Sequence, residues 1–367
     1  MRYVVVGTGI VGASAAYHLA KAGHHVTMID RKDAGQATEH AAGIICPWIS
    51  KRRNKVWYEL AKESAKFYPE IDKELAALGF SSGYEQVGTL CLRKPGKSLD
   101  SLYDLAVERS IEAPEIGKIE KLSPHEVKER FPFASPDYGA VFLSGGGKSK
   151  GALIRDALLQ GAAFYGGKFV HASASLDSAG RLFADGKEVA YDKLVLAAGA
   201  WLRELLSGYG YEADLLAQKG QLLTLEFDGL EMNDWPVVLP PASKAIVPFA
   251  EGRLLLGATH EKEAEFDLVP TEAARREILD ELGEFIQLDR APKREKLSVG
   301  TRPYTPDFTP FIGTLPSGNI FLANGLGASG LTTGPFVGKL LAELAAGDVL
   351  SFDISGYDPA LYLKKLN

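Results

Sequence analysis

Residues Tyr3–Asp30 read YVVVGTGIVGASAAYHLAKAGHHVTMID. The stretch opens on a β-branched run, Val4-Val5-Val6, the composition of a parallel strand buried on both faces. Gly7-x-Gly9-x-x-Gly12 follows at once. A helix of small residues, about Ala13 to Ala22, comes next, then Gly23, a second strand from His25 to Ile29, and Asp30. Strand, glycine turn, helix, strand and acid together form a dinucleotide-binding fingerprint in its required context. Gly7 makes the tight turn, Gly9 admits a pyrophosphate against the backbone, and Gly12 lets helix and strand pack closely, with Ala16 keeping that face small. The helix N-terminus offers unpaired N–H groups to phosphate, and Asp30 is placed to accept from a ribose. The bland alternative is a glycine turn in an ordinary βαβ unit.

The 367 residues suffice for two cores or one large interleaved core. A net charge of -6 argues against a nucleic-acid partner. No apolar run reaches the ~20 residues of a membrane span, and no signal peptide precedes the first strand, so the expected location is the cytoplasm. Cys46 and Cys91 make neither a disulfide framework nor a metal pattern, and His18, His24, His25, His125 and His171 sit at no ligand spacing; no metal is expected.

Beyond Asp30 a polar loop leads to His40-Ala41-Ala42-Gly43-Ile44-Ile45, small enough to pass a flat group closely. An amphipathic helix is predicted over 54–78, with Val56, Leu60, Phe67, Ile71, Leu75 and Leu78 inward and Gly79 as its stop. Strands are predicted at 87–93 and 138–143, with a proline-started, capping-box helix at Ser123-Pro124-His125-Glu126 between them. Gly145-Gly146-Gly147-Lys148-Ser149 looks like a phosphate loop, but the glycine that pattern requires is replaced by Phe142; a flexible connector between domains is the better reading. Paired strands are expected at 168–176 and 181–184. A buried strand then runs from Lys193 into the small residues Ala197 to Ala200 and Trp201. Antiparallel strands are predicted at 220–227, 244–249 and 253–258, and a helix over 271–286 with Ala274, Ile278, Leu282 and Phe285 inward. The chain closes with a strand at 320–323, a glycine loop over 324–330 and a helix over 335–346. Trp48, Trp57, Trp201 and Trp235 are expected in the core.

Taken in order, Gly7–Gly12 with Asp30, His40–Ile45, Leu196–Trp201, Gly300-Thr301-Arg302-Pro303 and the terminal glycine loop resemble the D-amino-acid oxidase superfamily of flavoproteins. The likeness is greatest to the branch of glycine oxidase and the small D-amino-acid dehydrogenases. It implies FAD as cofactor, and contacts to it from Gly7, Gly9, Ile10, Val11, Gly12, Asp30, Arg31, His40, Ala41, Ala42, Gly43, Ile44, Ile45, Ala174, Ala198, Gly199, Trp201, Arg302, Gly327, Ala328, Ser329, Gly330, Leu331 and Thr332. Backbone N–H groups in the last of these segments would stabilise negative charge near the flavin N1 and O2 atoms. The resemblance makes Arg302 the clamp for a substrate carboxylate, since a guanidinium fork fixes orientation as well as charge; an Arg302–Asp307 pair holding a loop is the structural alternative. His260 is a further pocket candidate. His40-Ala41-Ala42-Gly43 also resembles the motif of dimethylglycine and sarcosine dehydrogenases, whose histidine bonds FAD covalently, whereas the nearer branch holds FAD without a bond. Ala245 and Phe249 stand where relatives often carry a tyrosine and a basic residue.

The expected fold is α/β, a Rossmann-like FAD-binding domain (1–83, 146–217, 299–367) interleaved with a mainly antiparallel α+β substrate domain (84–145, 218–298). The expected activity is oxidation of the C–N bond of glycine, a D-amino acid or an N-alkyl glycine, by hydride transfer to flavin and hydrolysis of the imine. The partners are an amino acid or amine substrate and oxygen or another electron acceptor, with a second copy of the chain or an electron carrier as protein partners. Two alternatives stand beside this: an FAD-binding subunit passing electrons to a partner, and an NAD-dependent dehydrogenase.

Overall fold

The structure is a computed structural model, and it describes residues 1–50 and 54–366. Arg2–Val6 lies inside a six-stranded sheet whose order is Phe311–Thr314, Ile320–Asn324, Lys193–Leu196, Arg2–Val6, His25–Asp30, Lys168–His171. All neighbours are parallel except the first two. Val4, Val5 and Val6 are buried, as strands covered on both faces require. One face carries the Ile10–Lys21 helix, flanked by Gly151–Phe164 and Gly330–Ala346. Small residues set that contact: a Cβ on Gly338 would lie 2.4 Å from the Val11 carbonyl oxygen. The other face is covered by a hairpin sheet over 174–189 and the Leu202–Gly208 helix.

The second sheet has eight strands in the order Arg294–Tyr304, Leu216–Glu226, Arg253–Gly257, Ala245–Phe249, Val237–Leu239, Thr89–Arg93, Gly139–Leu143, Ile119–Leu122. All its pairs are antiparallel except Val237–Leu239 with Thr89–Arg93. The predicted α/β class, a parallel Rossmann-like sheet with a mainly antiparallel partner sheet, is the fold observed.

Several local expectations change. The connector over 145–149 is not flexible. Gly147–Ser149 is the middle strand between Ile44–Ile45 and Tyr84–Glu85. Its glycines serve packing, since a Cβ on Gly145 would lie 1.8 Å from the Glu115 carbonyl oxygen. Lys148 is fully buried, its Nζ donating to the Pro248 carbonyl at 2.7 Å beside Glu85 at 3.2 Å. The single strand expected at 168–176 divides: Lys168–His171 joins the parallel sheet and Ala174–Leu176 turns into the hairpin. The 54–78 helix runs Lys55–Ala77, with the Asn54 side chain accepting from the Trp57 N–H at 2.9 Å. Val56, expected inward, is 37% exposed in the first turn. The last helix begins at Gly330, not 335. Pro335 sits within it and supplies no N–H to the Leu331 carbonyl; the Tyr68 hydroxyl donates to that carbonyl instead. Trp48 is core, but Trp57 and Trp201 line the cavity described below.

His18, on the first helix, has its Nε2 buried with no hydrogen-bond partner among the described residues. Burial first, then the nearby Lys21 and Lys339 charges, pull its pKa down to about 3. A histidine depressed in the fold binds its proton only on unfolding, so stability falls as pH drops below the unfolded value. His18→Leu should therefore be more stable than the parent by about 2 kcal/mol at pH 5, with the gap closing above pH 7. Urea unfolding at the two pH values measures this.

No helix among the described residues is long and apolar enough to cross a membrane. No cluster of three potential metal ligands occurs among them. Cys46 and Cys91 are free thiols.

Candidate active site

The carboxyl ends of the parallel strands open into a cavity of about 1070 Å³, the position where ligands bind in open α/β sheets. Val6, Asp30, Ala197 and Asn324 stand at its wall. The antiparallel sheet closes it from the other side through Gly220, Ala245, Gly257, Gly300 and Arg302.

The three fingerprint glycines do different work. Gly7 has φ +90°, and a Cβ there would meet the Ala197 carbonyl oxygen at 2.5 Å. Gly12 packs helix to strand, with a Cβ position 1.8 Å from the Gly7 carbonyl oxygen, and is not on the cavity wall. Gly9 faces the cavity, and the nearest atom to its Cβ position is Thr38 Oγ1 at 3.4 Å. As N-cap it has no side-chain cap, and no acid occupies the helix's first turn. That combination leaves the positive helix end open to an anion. Asp30 is buried and holds the turn: its Oδ2 accepts from Thr8 N (2.6 Å) and Thr8 Oγ1 (2.9 Å), and its Oδ1 from Lys32 N (2.6 Å) and Gln36 Nε2 (3.2 Å). Arg31 is forked onto Glu204 at 3.0 and 2.8 Å.

His40, Ala41, Ala42, Gly43 and Ile44 line the cavity, as do Ala174, Ala198, Gly199 and Trp201. Ile45 does not: strand alternation turns it into the core, where it is 1% exposed. Gly327, Ala328, Ser329, Gly330, Leu331 and Thr332 line the wall at the start of the last helix.

Arg302 lies on the edge strand with its guanidinium against Gly220, where a Cβ would come within 2.6 Å of Cζ. Its Nη1 donates to the Thr259 carbonyl at 3.1 Å and lies 3.4 Å from His260 Nδ1. Desolvation lowers its pKa, partly offset by Tyr304. No carboxylate is within ion-pair distance among the described residues. The Asp307 pairing does not form; Asp307 accepts from Thr309 N at 3.1 Å and from the Tyr362 hydroxyl at 3.0 Å. His260 lies on the cavity wall with Nδ1 3.2 Å from Gln218 Oε1. His40 packs its Cβ over Gly300, and burial lowers its pKa.

Sequence reasoning missed Thr38, whose Oγ1 accepts from Ile10 N at 3.0 Å, and Gly220, whose missing side chain makes room for Arg302. It also missed Arg93, Tyr138 and the 239–243 segment, all on the wall, and anticipated Ala245 there. Only Gly220, opening a strand, carried any signal.

The model of the FAD dependent oxidoreductase family (DAO) matches residues 2–344. This chain belongs to that family, and its cofactor is FAD. The NAD-dependent alternative falls with that assignment. The residues present fit the group: a helix N-terminus whose cap residue, Gly9, has no side chain, a second N-terminus at Gly330, and a wall of small residues between them. The chain is 40% identical over 365 residues to the uncharacterized oxidoreductase YurR of Bacillus subtilis, covering 98% of each. It is 27% identical to a glycine oxidase of Pseudomonas aeruginosa, again covering 98% of each. The crystal structure of iminodiacetate oxidase from Chelativorans sp. BNC1 superimposes with a TM-score of 0.90 at 33% identity, covering 98% of this chain and 99% of that one.

Proposed function

We propose that this family member oxidises the C–N bond of a small amino acid or N-alkyl glycine, with Arg302 holding the substrate carboxylate. The observation that carries this is a desolvated guanidinium on the cavity wall with no carboxylate partner among the described residues. Leaving a buried charge uncompensated is costly, and an anionic ligand compensates it. The names of the glycine oxidase and iminodiacetate oxidase relatives fit the same class of substrate.

In this reading FAD is held by Gly9 to Val11, His40 to Ile44, Ala198 to Trp201 and Gly327 to Thr332. Asp30 would accept from its adenosine ribose, and the Gln36 contact, the longest of the four to that carboxylate, would be the one to share. The same reading keeps the domain division proposed from the sequence, although Leu216–Glu226 and Arg294–Tyr304 run across its 217/218 and 298/299 boundaries. Bound FAD supplies the acceptor for two electrons as hydride. The chain supplies orientation: a two-point grip on the carboxylate aims the α-carbon hydrogen. The apolar wall limits water at the reacting carbon. The amine enters neutral; once hydride has left the α-carbon the nitrogen gives up a proton to solvent, and the imine hydrolyses to an oxo acid and ammonia or, from an N-alkyl glycine, an amine.

Anaerobic mixing of the holoenzyme with glycine, sarcosine, D- and L-amino acids and iminodiacetate tests this by loss of flavin absorbance near ~450 nm. One responsive substrate class supports the reading, and the rate of colour return in air separates oxygen from another acceptor. A panel that leaves the flavin oxidised overturns it. The flavin is expected to be released entirely on acid denaturation and ultrafiltration; colour retained with the polypeptide would instead assign His40 as a covalent anchor.

A further inference from the structure

We infer that the cavity holds a second anion-reading arginine, Arg93, and that the preferred substrate is a dianionic secondary amine, a glycine nitrogen bearing another carboxyalkyl arm. The inference rests on the proposed role of Arg302 and extends it.

Sheet register places the two arginines. Ser298 lies opposite Leu222, Leu222 opposite Gly257, and Gly257 opposite Ala245. The Val238–Ile246 pair puts Leu239 beside Ala245, and Leu239 pairs with Cys91. Residues opposite one another share a face, and so do residues two apart on one strand. Arg302, four beyond Ser298, and Arg93, two beyond Cys91, therefore share a face. Strand directions carry both toward the same end of the sheet. That face is turned to the cavity, and both arginines are on its wall. The opposite face carries Leu90, Leu92, Ile246, Leu254 and Leu256 in a separate core.

On the Arg302 side the floor is small, Gly220, Gly300, Gly257 and Ala245, and Leu239 lies between it and Arg93. Five strand steps separate the two backbones, about 24 Å in a flat sheet. Arg302 already reaches one strand inward over Gly220, and Arg93, folded back on the Leu92 carbonyl, would swing off it to meet a ligand. The trough left between the guanidinium groups is longer than glycine requires.

Among the described residues no acid competes for Arg93. Its hydrogen bond is to the Leu92 carbonyl at 2.5 Å, and no carboxylate lies in ion-pair range among the described residues. Its neighbours are satisfied: Lys94 and the Tyr138 hydroxyl share Glu284, and Lys244 pairs with Glu277 and Glu281. Burial lowers the Arg93 pKa, with no carboxylate to raise it again. The carboxylates on the cavity wall among the described residues are Asp30, Asp33 and Glu204, all at the fingerprint end and all engaged. The opposite end thus presents two guanidinium groups and no acid, a charge pattern matched by two carboxylates on one molecule.

Binding of unreactive thioethers to the holoenzyme, read from flavin difference spectra, tests the inference without turnover. Thiodiacetate and 3-(carboxymethylthio)propionate carry two carboxylates, and (methylthio)acetate carries one. The better diacid should bind about 10- to 100-fold more tightly than the monoacid. Arg93→Met should erase that gap and leave the monoacid unchanged, and Arg93→Lys should keep part of it. Flavin content and melting temperature verify that both variants fold. Equal binding of mono- and diacid by the parent, or a gap that survives Arg93→Met, overturns the inference and leaves the role of Arg302 standing. Failure of all three thioethers to bind the parent overturns both.

Discussion

Arg302→Met should lower kcat/KM for a carboxylated amine about a thousandfold while raising the melting temperature of the protein. The loss follows from removing one partner of a desolvated, charge-assisted pair, which costs about 2–5 kcal/mol. The gain has a separate cause. In the ligand-free protein the guanidinium is withdrawn from water, donates to the Thr259 carbonyl and faces no carboxylate among the described residues. Replacing such a charge by an apolar side chain of similar length is neutral or stabilising by about 1–4 kcal/mol. Steady-state kinetics and a thermal melt measure the two effects. A structural arginine would give the opposite sign in the melt, so a variant that is both inactive and less stable would count against a substrate role. Arg302→Lys keeps the charge but loses the fork, and should recover only part of the activity.

The second large effect separates two glycines of one motif. Gly12→Ala should fold poorly, because its methyl would lie 1.8 Å from the Gly7 carbonyl oxygen and backbone must move. The expected cost is about 3 kcal/mol or more. Gly9→Ala should fold normally, since its methyl finds Thr38 Oγ1 at 3.4 Å and otherwise points into the cavity. It should lose FAD instead, at least about tenfold in affinity, because the methyl fills the approach to the helix N-terminus. Circular dichroism and flavin content per polypeptide distinguish the two. Equal flavin retention in Gly9→Ala and the parent would remove the pyrophosphate from that turn.

Local pattern was enough where one residue type has one solution. The Val4–Val6 run, the glycine spacing and the acid at 30 specify a strand, a tight turn and a ligand-facing helix within 28 residues of contiguous chain (Tyr3–Asp30). The capping box at Ser123 and Glu126 likewise acts over one turn and forms as expected. Pattern misled where the partner lies far away in sequence. Gly145 to Gly147 read as flexible because glycine permits freedom, yet here it permits contact with Glu115, Thr89 and Glu85. The break after His171 could not be seen, since both halves are β-formers and only their different partners divide them. Ile45 and Ile44 are chemically alike, and only pairing with Lys148 and Gly147 decides which one meets the cavity.

The sequence by itself determined the dinucleotide turn and the α/β class, and it singled out Arg302 through its family motif. These rest on backbone conformation and side-chain chemistry that act over a few residues. Tertiary structure alone decided that Asp307 turns to Tyr362 rather than Arg302, that Gly220 makes room beneath the Arg302 guanidinium, and that Arg93 shares its face. The last two depend on register between strands remote in sequence, and a one-residue slip would turn both side chains to the other face.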